Sequence, residues 1–507
     1  MKKILSLLLA LCLLMSLTGA FAEAAPEADA DADNVVALET AAPEAEDPLV
    51  TTQHTLALNG ATLNYTATAG MMPVELTGNT CDMFFTAYTL DGVEDLSQRP
   101  ITYVFNGGPG SASLWLHLGM LGPKRVEIDE NGNAISLPTR LVDNPDTILD
   151  ITDLVFIDPV GTGYSHVTGE TDPNAFFSYQ ADAASVAEFI RMYTSRNGRW
   201  GSPKYLAGES SGTVRAVAVA NVLADAFKMD LNGLMLISTA NDYSLLVDGA
   251  SDLSNVLYLP TYAAIAHYHG ALEEPYASMS VEDLIAEVNE FGETEYQSAL
   301  FKGARLTDEE KEDIAEKLAA FTGLKKDFLL KSNLRIGLTD FCTHLLEDQK
   351  LACGRIDGRY TGPATNGDFG SGDADPSIAA MGGMFSSALN SYMNDELNYH
   401  TDLQYEVLSN AVEFAWSFNM DGHFLDQKED IYTVMSRNKF LKVWVLCGYY
   451  DLATPFHCAE WVYDHVFLNE ETRPNLSFTY YPSGHMIYMH QPSLDQFRTD
   501  AEAWYQE

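Results

Sequence analysis

Ser210 lies in the run Gly208-Glu209-Ser210-Ser211-Gly212. A serine framed as G-x-S-x-G, with a short apolar run ahead of it and a helical one behind, is the pattern of a nucleophile held on a strand-to-helix turn. The glycines have a steric reason, because side chains at those two positions would crowd the tight backbone that presents the hydroxyl. Ser211 lacks the frame, since Glu209 stands where its leading glycine would be. A serine hydroxyl is a weak nucleophile until a base takes its proton, and that base needs a carboxylate to fix its tautomer. Asp451, after Gly448-Tyr449-Tyr450, and His485, after Pro482-Ser483-Gly484, are the residues of those types that follow strand-like runs. A second glycine-rich stretch, Asn106-Gly107-Gly108-Pro109-Gly110, can cradle a phosphate, aim backbone N–H groups at a developing oxyanion, or simply turn the chain. No Lys-Ser/Thr follows it as a phosphate loop requires, and beside Ser210 the oxyanion use is favoured.

These residues need a scaffold that brings strand ends together. Apolar runs compatible with strands fall at 83–88, 101–105, 154–157, 205–207, 234–237, 443–447 and 478–481, and helical patterns at 181–193 and 213–226 lie between several of them. Strands alternating with helices, and short enough to be buried on both faces, predict a mostly parallel sheet. Ahead of them, Asn59-Gly60 between alternating apolar residues predicts a hairpin. Serine, aspartate and histidine in that chain order, each at a strand end, define an α/β-hydrolase arrangement. From 241 to 437 the alternation gives way to helical signals, including a capping box at Thr307-Asp308-Glu309-Glu310, and residues 361–377 read as a long Gly, Asp and Ser surface loop. The expected layout is a core of 51–240 and 438–507 with a helical cap inserted at 241–437.

Composition narrows the function. Lys2 and Lys3, the apolar run 4–17 and Ala20-Phe21-Ala22 predict a signal peptide over 1–22, followed by a disordered acidic spacer over 23–50, with a regulatory propeptide as the other reading of that spacer. No later run is apolar enough for a membrane span, and the formal net charge of −43 argues against nucleic acid as a partner. Outside the leader there are five cysteines; Cys342 with Cys353 and Cys447 with Cys458 are spaced for local disulfides, and buried free thiols fit the sequence equally well. His267 and His269 lack a metal-binding pattern, and neither a metal nor another cofactor is expected.

The chain resembles the serine carboxypeptidases, in the branch found in bacteria. The resemblance rests on Asn106-Gly107-Gly108-Pro109-Gly110-Ser111, Asp158-Pro159-Val160-Gly161-Thr162-Gly163-Tyr164-Ser165, Gly208-Glu209-Ser210, Asp451-Leu452-Ala453-Thr454-Pro455 and Gly484-His485-Met486. It implies Ser210 as nucleophile, His485 as general base and acid, Asp451 as the orienting carboxylate, and the N–H groups of Gly108 and Ser211 as the oxyanion hole. It also implies that Asn106, Gly107 and Glu209 hold the terminal carboxylate of a peptide with a free C-terminus. Glu209 donates to a carboxylate only when protonated, so peptide cleavage is expected to rise toward acid pH. Four positions depart from the family: Met120 replaces a second glutamate and Ser111 a cysteine of the eukaryotic members, and Tyr488 and His490 replace a proline and an aspartate often found after the histidine. The Met120 difference keeps open an esterase or acyl hydrolase on the same fold. A non-catalytic binding protein is the third reading, disfavoured because all three triad residues are present.

Overall fold

The computed structural model describes residues 49–247, 251–364, 375–417 and 423–506. The expected signal peptide at 1–22 and the spacer up to residue 48 lie outside them. Val50, placed in the spacer by its sequence, is instead the first residue of a strand, because it pairs with Ala69 across the Asn59-Gly60 hairpin.

Ten strands form one sheet: β1 (Val50–Leu58), β2 (Ala61–Leu76), β3 (Asn79–Leu90), β4 (Ile101–Phe105), β5 (Asp153–Ile157), β6 (His166–Val167), β7 (Lys204–Glu209), β8 (Gly233–Ile237), β9 (Lys442–Gly448) and β10 (Leu476–Tyr481). Their order is β1-β2-β3-β5-β4-β7-β8-β9-β10, with β6 on β3. From β5 to β10 along this order the pairings are parallel, and the hairpin strands add an antiparallel edge.

Every residue of β4, β5 and β8 is buried, which explains why these strands read as unbroken apolar runs rather than as alternation. The period of two survives in where the side chains go. Tyr103, Phe105, Val155, Leu206 and Val445 pack with the helices Tyr179–Arg196 and Ser211–Ala226, whereas Val104, Phe156, Ala207 and Trp444 pack on the other face with the C-terminal helix Gln491–Gln506.

Between β8 and β9 the described residues are mainly helical. Thr307 caps the helix Asp308–Thr322 with the reciprocal Glu310 bond its sequence predicts. The 361–377 loop is shorter than expected, since Thr361–Pro363 pairs with Leu351–Cys353 and a helix starts at Pro376 behind the Asp375 cap; residues 365–374 lie outside the described residues. All five cysteines of the described residues are buried free thiols, and Cys353 Sγ donates to the Cys342 carbonyl at 3.7 Å rather than bonding to sulfur. Among the described residues no helix is long and apolar enough to cross a membrane.

The turn between β7 and the helix Ser211–Ala226 has no room for side chains. A Cβ on Gly208 would strike the Gly212 carbonyl, and one on Gly212 would come within 2.9 Å of the Phe105 and Asn106 carbonyl oxygens. Gly208→Ala should therefore lower the unfolding free energy by about 3 kcal/mol. Gly198→Ala, at φ +66° with nothing within 4 Å, should cost only about 1 kcal/mol. Urea denaturation of both variants checks this; equal losses would contradict the crowding argument.

Candidate active site

Ser210 sits at the C-terminal end of β7 with φ 59° and ψ −130°, a conformation that costs an L-residue free energy and persists only where the surroundings impose it. Its N–H donates to the Ile237 carbonyl at 2.9 Å, and its carbonyl accepts from Thr213 N at 2.9 Å and Thr213 Oγ1 at 2.7 Å. Ser211 is used differently. Its hydroxyl donates to the Gly108 carbonyl at 2.8 Å and lies 2.5 Å from the Tyr243 hydroxyl, so it tethers the glycine loop to the turn.

Asp451 follows β9 and is fully buried. Its Oδ1 accepts from the N–H groups of Ala453 (2.8 Å) and Thr454 (2.9 Å), and its Oδ2 accepts from Thr454 Oγ1 at 2.6 Å and from His485 Nδ1 at 2.8 Å. With Nδ1 donating, Nε2 is the ring nitrogen left to accept a proton. The loop after β10 that carries His485 is held from two sides: His485 N–H donates to the Ile356 carbonyl at 2.8 Å, and Ser238 Oγ donates to the His485 carbonyl at 2.7 Å. Ser238 follows Ile237, so the end of β8 contacts both the Ser210 turn and the His485 loop.

Asn106, Gly107 and Gly108 follow β4 and lie against the Ser210 turn. A Cβ on Gly107 would stand 2.5 Å from Ser211 N, so only glycine leaves that N–H uncovered. This N–H opens a helix and has no partner within it, as an oxyanion donor requires. The loop is anchored from below by Arg215, whose Nη1 donates to the Asn106 carbonyl at 2.5 Å while its Nε pairs with buried Asp182 at 2.6 Å. The Asp158-Pro159 motif supports the same loop, with Asp158 Oδ1 accepting from Ser113 N at 2.8 Å.

Glu209 is buried one residue before Ser210. Asn106 Nδ2 donates to its Oε2, and the Tyr488 hydroxyl reaches Oε1 at 3.2 Å and Oε2 at 3.1 Å. Burial pushes the Glu209 carboxyl up to about 7, with His485, Tyr488 and Asn106 pulling against it. Burial also acts on Asp451, but His485 and Thr454 more than cancel it and hold that carboxyl below its ordinary value. His485 is drawn down by burial and carried above its ordinary value by Asp451 and Glu209.

Sequence reasoning missed three contributors. Thr454, three residues after Asp451, has a turn spacing that signals it in retrospect; Tyr488 and the Arg355–Ile356 segment have no local signal, since their partners lie far along the chain. Met120 is buried and contributes its carbonyl, which accepts from Asn144 Nδ2 at 2.8 Å. Among the described residues no three His, Cys, Asp or Glu side chains gather as a metal site.

A parallel sheet with helices on both faces and a serine turn, an aspartate and a histidine at strand ends is an α/β-hydrolase. Residues 59–346 match the family model described as serine carboxypeptidase, more than half of the chain. The chain belongs to the serine carboxypeptidase family. It is 27% identical over 200 residues to a pheromone-processing carboxypeptidase KEX1 of Yarrowia lipolytica, a match that takes in 37% of this chain and spans 30% of that protein's length. The structure of a prohormone-processing carboxypeptidase, Kex1(delta)p from Saccharomyces cerevisiae, superposes with a TM-score of 0.57 at 17% identity, covering 87% of this chain and 91% of that one. Ser210 falls within the span matched by the family model, whereas Asp451 and His485 lie beyond it.

Glu209 makes stability depend on pH. Its folded value of about 7 exceeds the ordinary 4.5, so the stability held below pH 4.5 is lost as pH rises through about 7, on the order of 3 kcal/mol. His485, also raised, adds to the loss above its ordinary 6.5. Denaturation midpoints between pH 4.5 and 7.5 should therefore fall in the wild type and fall less steeply in Glu209→Gln; parallel curves would contradict the assignment.

Proposed function

We propose that the chain is an exported serine carboxypeptidase that removes C-terminal residues from peptides through an acyl-enzyme. The observation that carries this reading is a buried carboxyl, Glu209, adjacent to the strained Ser210 and hydrogen-bonded by the neutral donors Asn106 and Tyr488. Ser210 Oγ attacks the carbonyl carbon of the last peptide bond while His485 Nε2 takes its proton, and Asp451 stabilises the imidazolium. The developing oxyanion lies between the N–H groups of Gly108 and Ser211. The imidazolium then protonates the departing amino acid, and a water activated by His485 hydrolyses the ester. Neutral Glu209 donates to the terminal carboxylate alongside Asn106 and the Gly107 N–H. Tyr488, bonded to Glu209, occupies the partner role that Met120 cannot fill. The leader-like residues 1–22 support export, and helices of the 241–437 insertion form the cap.

Catalysis needs neutral His485 and protonated Glu209, a single proton distributed over two coupled groups. Activity on free peptides should accordingly be bell-shaped in pH, with the alkaline limb belonging to Glu209 and the acid limb to His485. A simple ester without a carboxylate should keep the acid limb and lose the alkaline one. Mass spectrometry of peptides with free and blocked C-termini tests the whole reading. Stepwise trimming of free peptides only, reduced on the order of a millionfold by Ser210→Ala, is the expected result. Ser210-dependent ester hydrolysis with no trimming would make the protein an esterase, and inactivity on both would make it a binding protein.

A further inference from the structure

For the peptidase proposed above, the peptides preferred depend on what borders Asp451 and His485. Arg355 belongs to the segment between β8 and β9, and its backbone is fixed against the candidate catalytic loops. Its carbonyl accepts from the N–H of Leu452, next to Asp451, at 3.1 Å, and its N–H donates to Asp375 Oδ2 at 3.0 Å. The following residue, Ile356, is the one whose carbonyl holds His485 N–H.

Its side chain is half-buried, yet among the described residues no carboxylate lies within 4.0 Å of the guanidinium. Arg359, four positions on, shows the usual arrangement by pairing with Asp357 at 2.6 Å. In a chain with a formal net charge of −43, a half-buried arginine with no carboxylate partner among the described residues is unexpected.

Three groups surrounding the Ser210 turn feel its charge: His485, Tyr243 and Glu413. Tyr243 is the hydroxyl bonded to Ser211. Glu413 lies on the helix Asn410–Ala415, whose cap residue Ser409 donates its N–H to the Gly110 carbonyl at 2.8 Å, so it borders the glycine loop. Glu413 is only 7% exposed, and its buried Oε2 has no hydrogen-bond partner. Arg355, fixed beside Asp451 and His485, and Glu413, fixed beside the glycine loop, thus border the same site without forming an ion pair, and the buried Glu413 Oε2 has hydrogen-bonding capacity unused.

We propose that Arg355 binds a carboxylate of the substrate, with Glu413 forming the opposite side of the gap. A guanidinium offers a planar pair of donors suited to two carboxylate oxygens. Burial favours the neutral form of Glu413, which then donates to the same carboxylate instead of repelling it. The carboxylate comes either from an acidic side chain on the residue whose carbonyl Ser210 attacks, or from the peptide terminus.

The test uses full-length enzyme and peptides with Glu, Ala or Lys at the penultimate position, each with a free or amidated C-terminus. Ratios of kcat/KM are compared, because a merely structural defect lowers all substrates together and leaves ratios unmoved. A wild-type preference for Glu over Lys, kept in direction but weakened by Arg355→Lys and reduced about tenfold or more by Arg355→Glu, assigns Arg355 to the side chain. A similar fall in the free-to-amidated ratio assigns it to the terminal carboxylate. Both ratios unchanged within about twofold would overturn the proposal; Arg355→Met gives the same readout if the charge reversal prevents folding. Wild-type enzyme that trims no peptide would refute the peptidase reading itself and this proposal with it.

Discussion

Two buried carboxyl groups of opposite character act on His485. Asp451 accepts four hydrogen bonds, one of them from His485, and is held ionised; Glu209 has two neutral donors and is driven by burial toward its protonated form. Environments that separate the acidities of two like groups assign them different tasks. In the proposed mechanism one carboxylate balances the charge that forms on the imidazole, and one neutral acid remains to donate a hydrogen bond. Exchanging these environments would leave His485 without a counterion and Glu209 without a proton.

The sheet supplies this asymmetry by bringing four strand ends together. β4 delivers the glycine loop, β7 the Ser210–Glu209 turn, β9 Asp451 and β10 His485, while β8 between them contacts both the serine turn and the histidine loop. Close approach of the loop after β4 to the turn after β7 is what requires glycine at 107 and 212, and the turn's own backbone is what requires it at 208. The segment between β8 and β9 takes part in positioning these groups, since the Ile356 carbonyl fixes the histidine backbone and the Arg355 carbonyl accepts from Leu452 beside Asp451.

Much of this was legible in the chain. Strands buried on both faces appear as apolar runs, so β4, β5 and β8 were located to within a residue, and the turn glycines follow from local sterics. The capping box and the Asn-Gly hairpin are equally local and formed as read. Long-range pairings were not legible. Tyr488 reaches Glu209 across 279 positions, and the Ile356 contact with His485 depends on how the insertion packs, which no spacing encodes. The cysteine spacings allowed disulfides that did not form, because Cys342 and Cys353 are buried as thiols. The 361–377 loop was overextended because its glycines and aspartates masked the helix cap at Asp375.

Infrared pH-difference spectroscopy measures the opposed carboxyl groups directly. A protonated carboxyl signal that disappears with a midpoint near 7, loses in Glu209→Gln the share of one group and keeps it in Asp451→Asn is the result this account predicts, the remainder in both variants belonging to buried Asp158, which is also raised to about 7. A Glu209 band with its midpoint near the ordinary 4.5 would contradict it, removing the neutral acid that the proposed mechanism places beside Ser210.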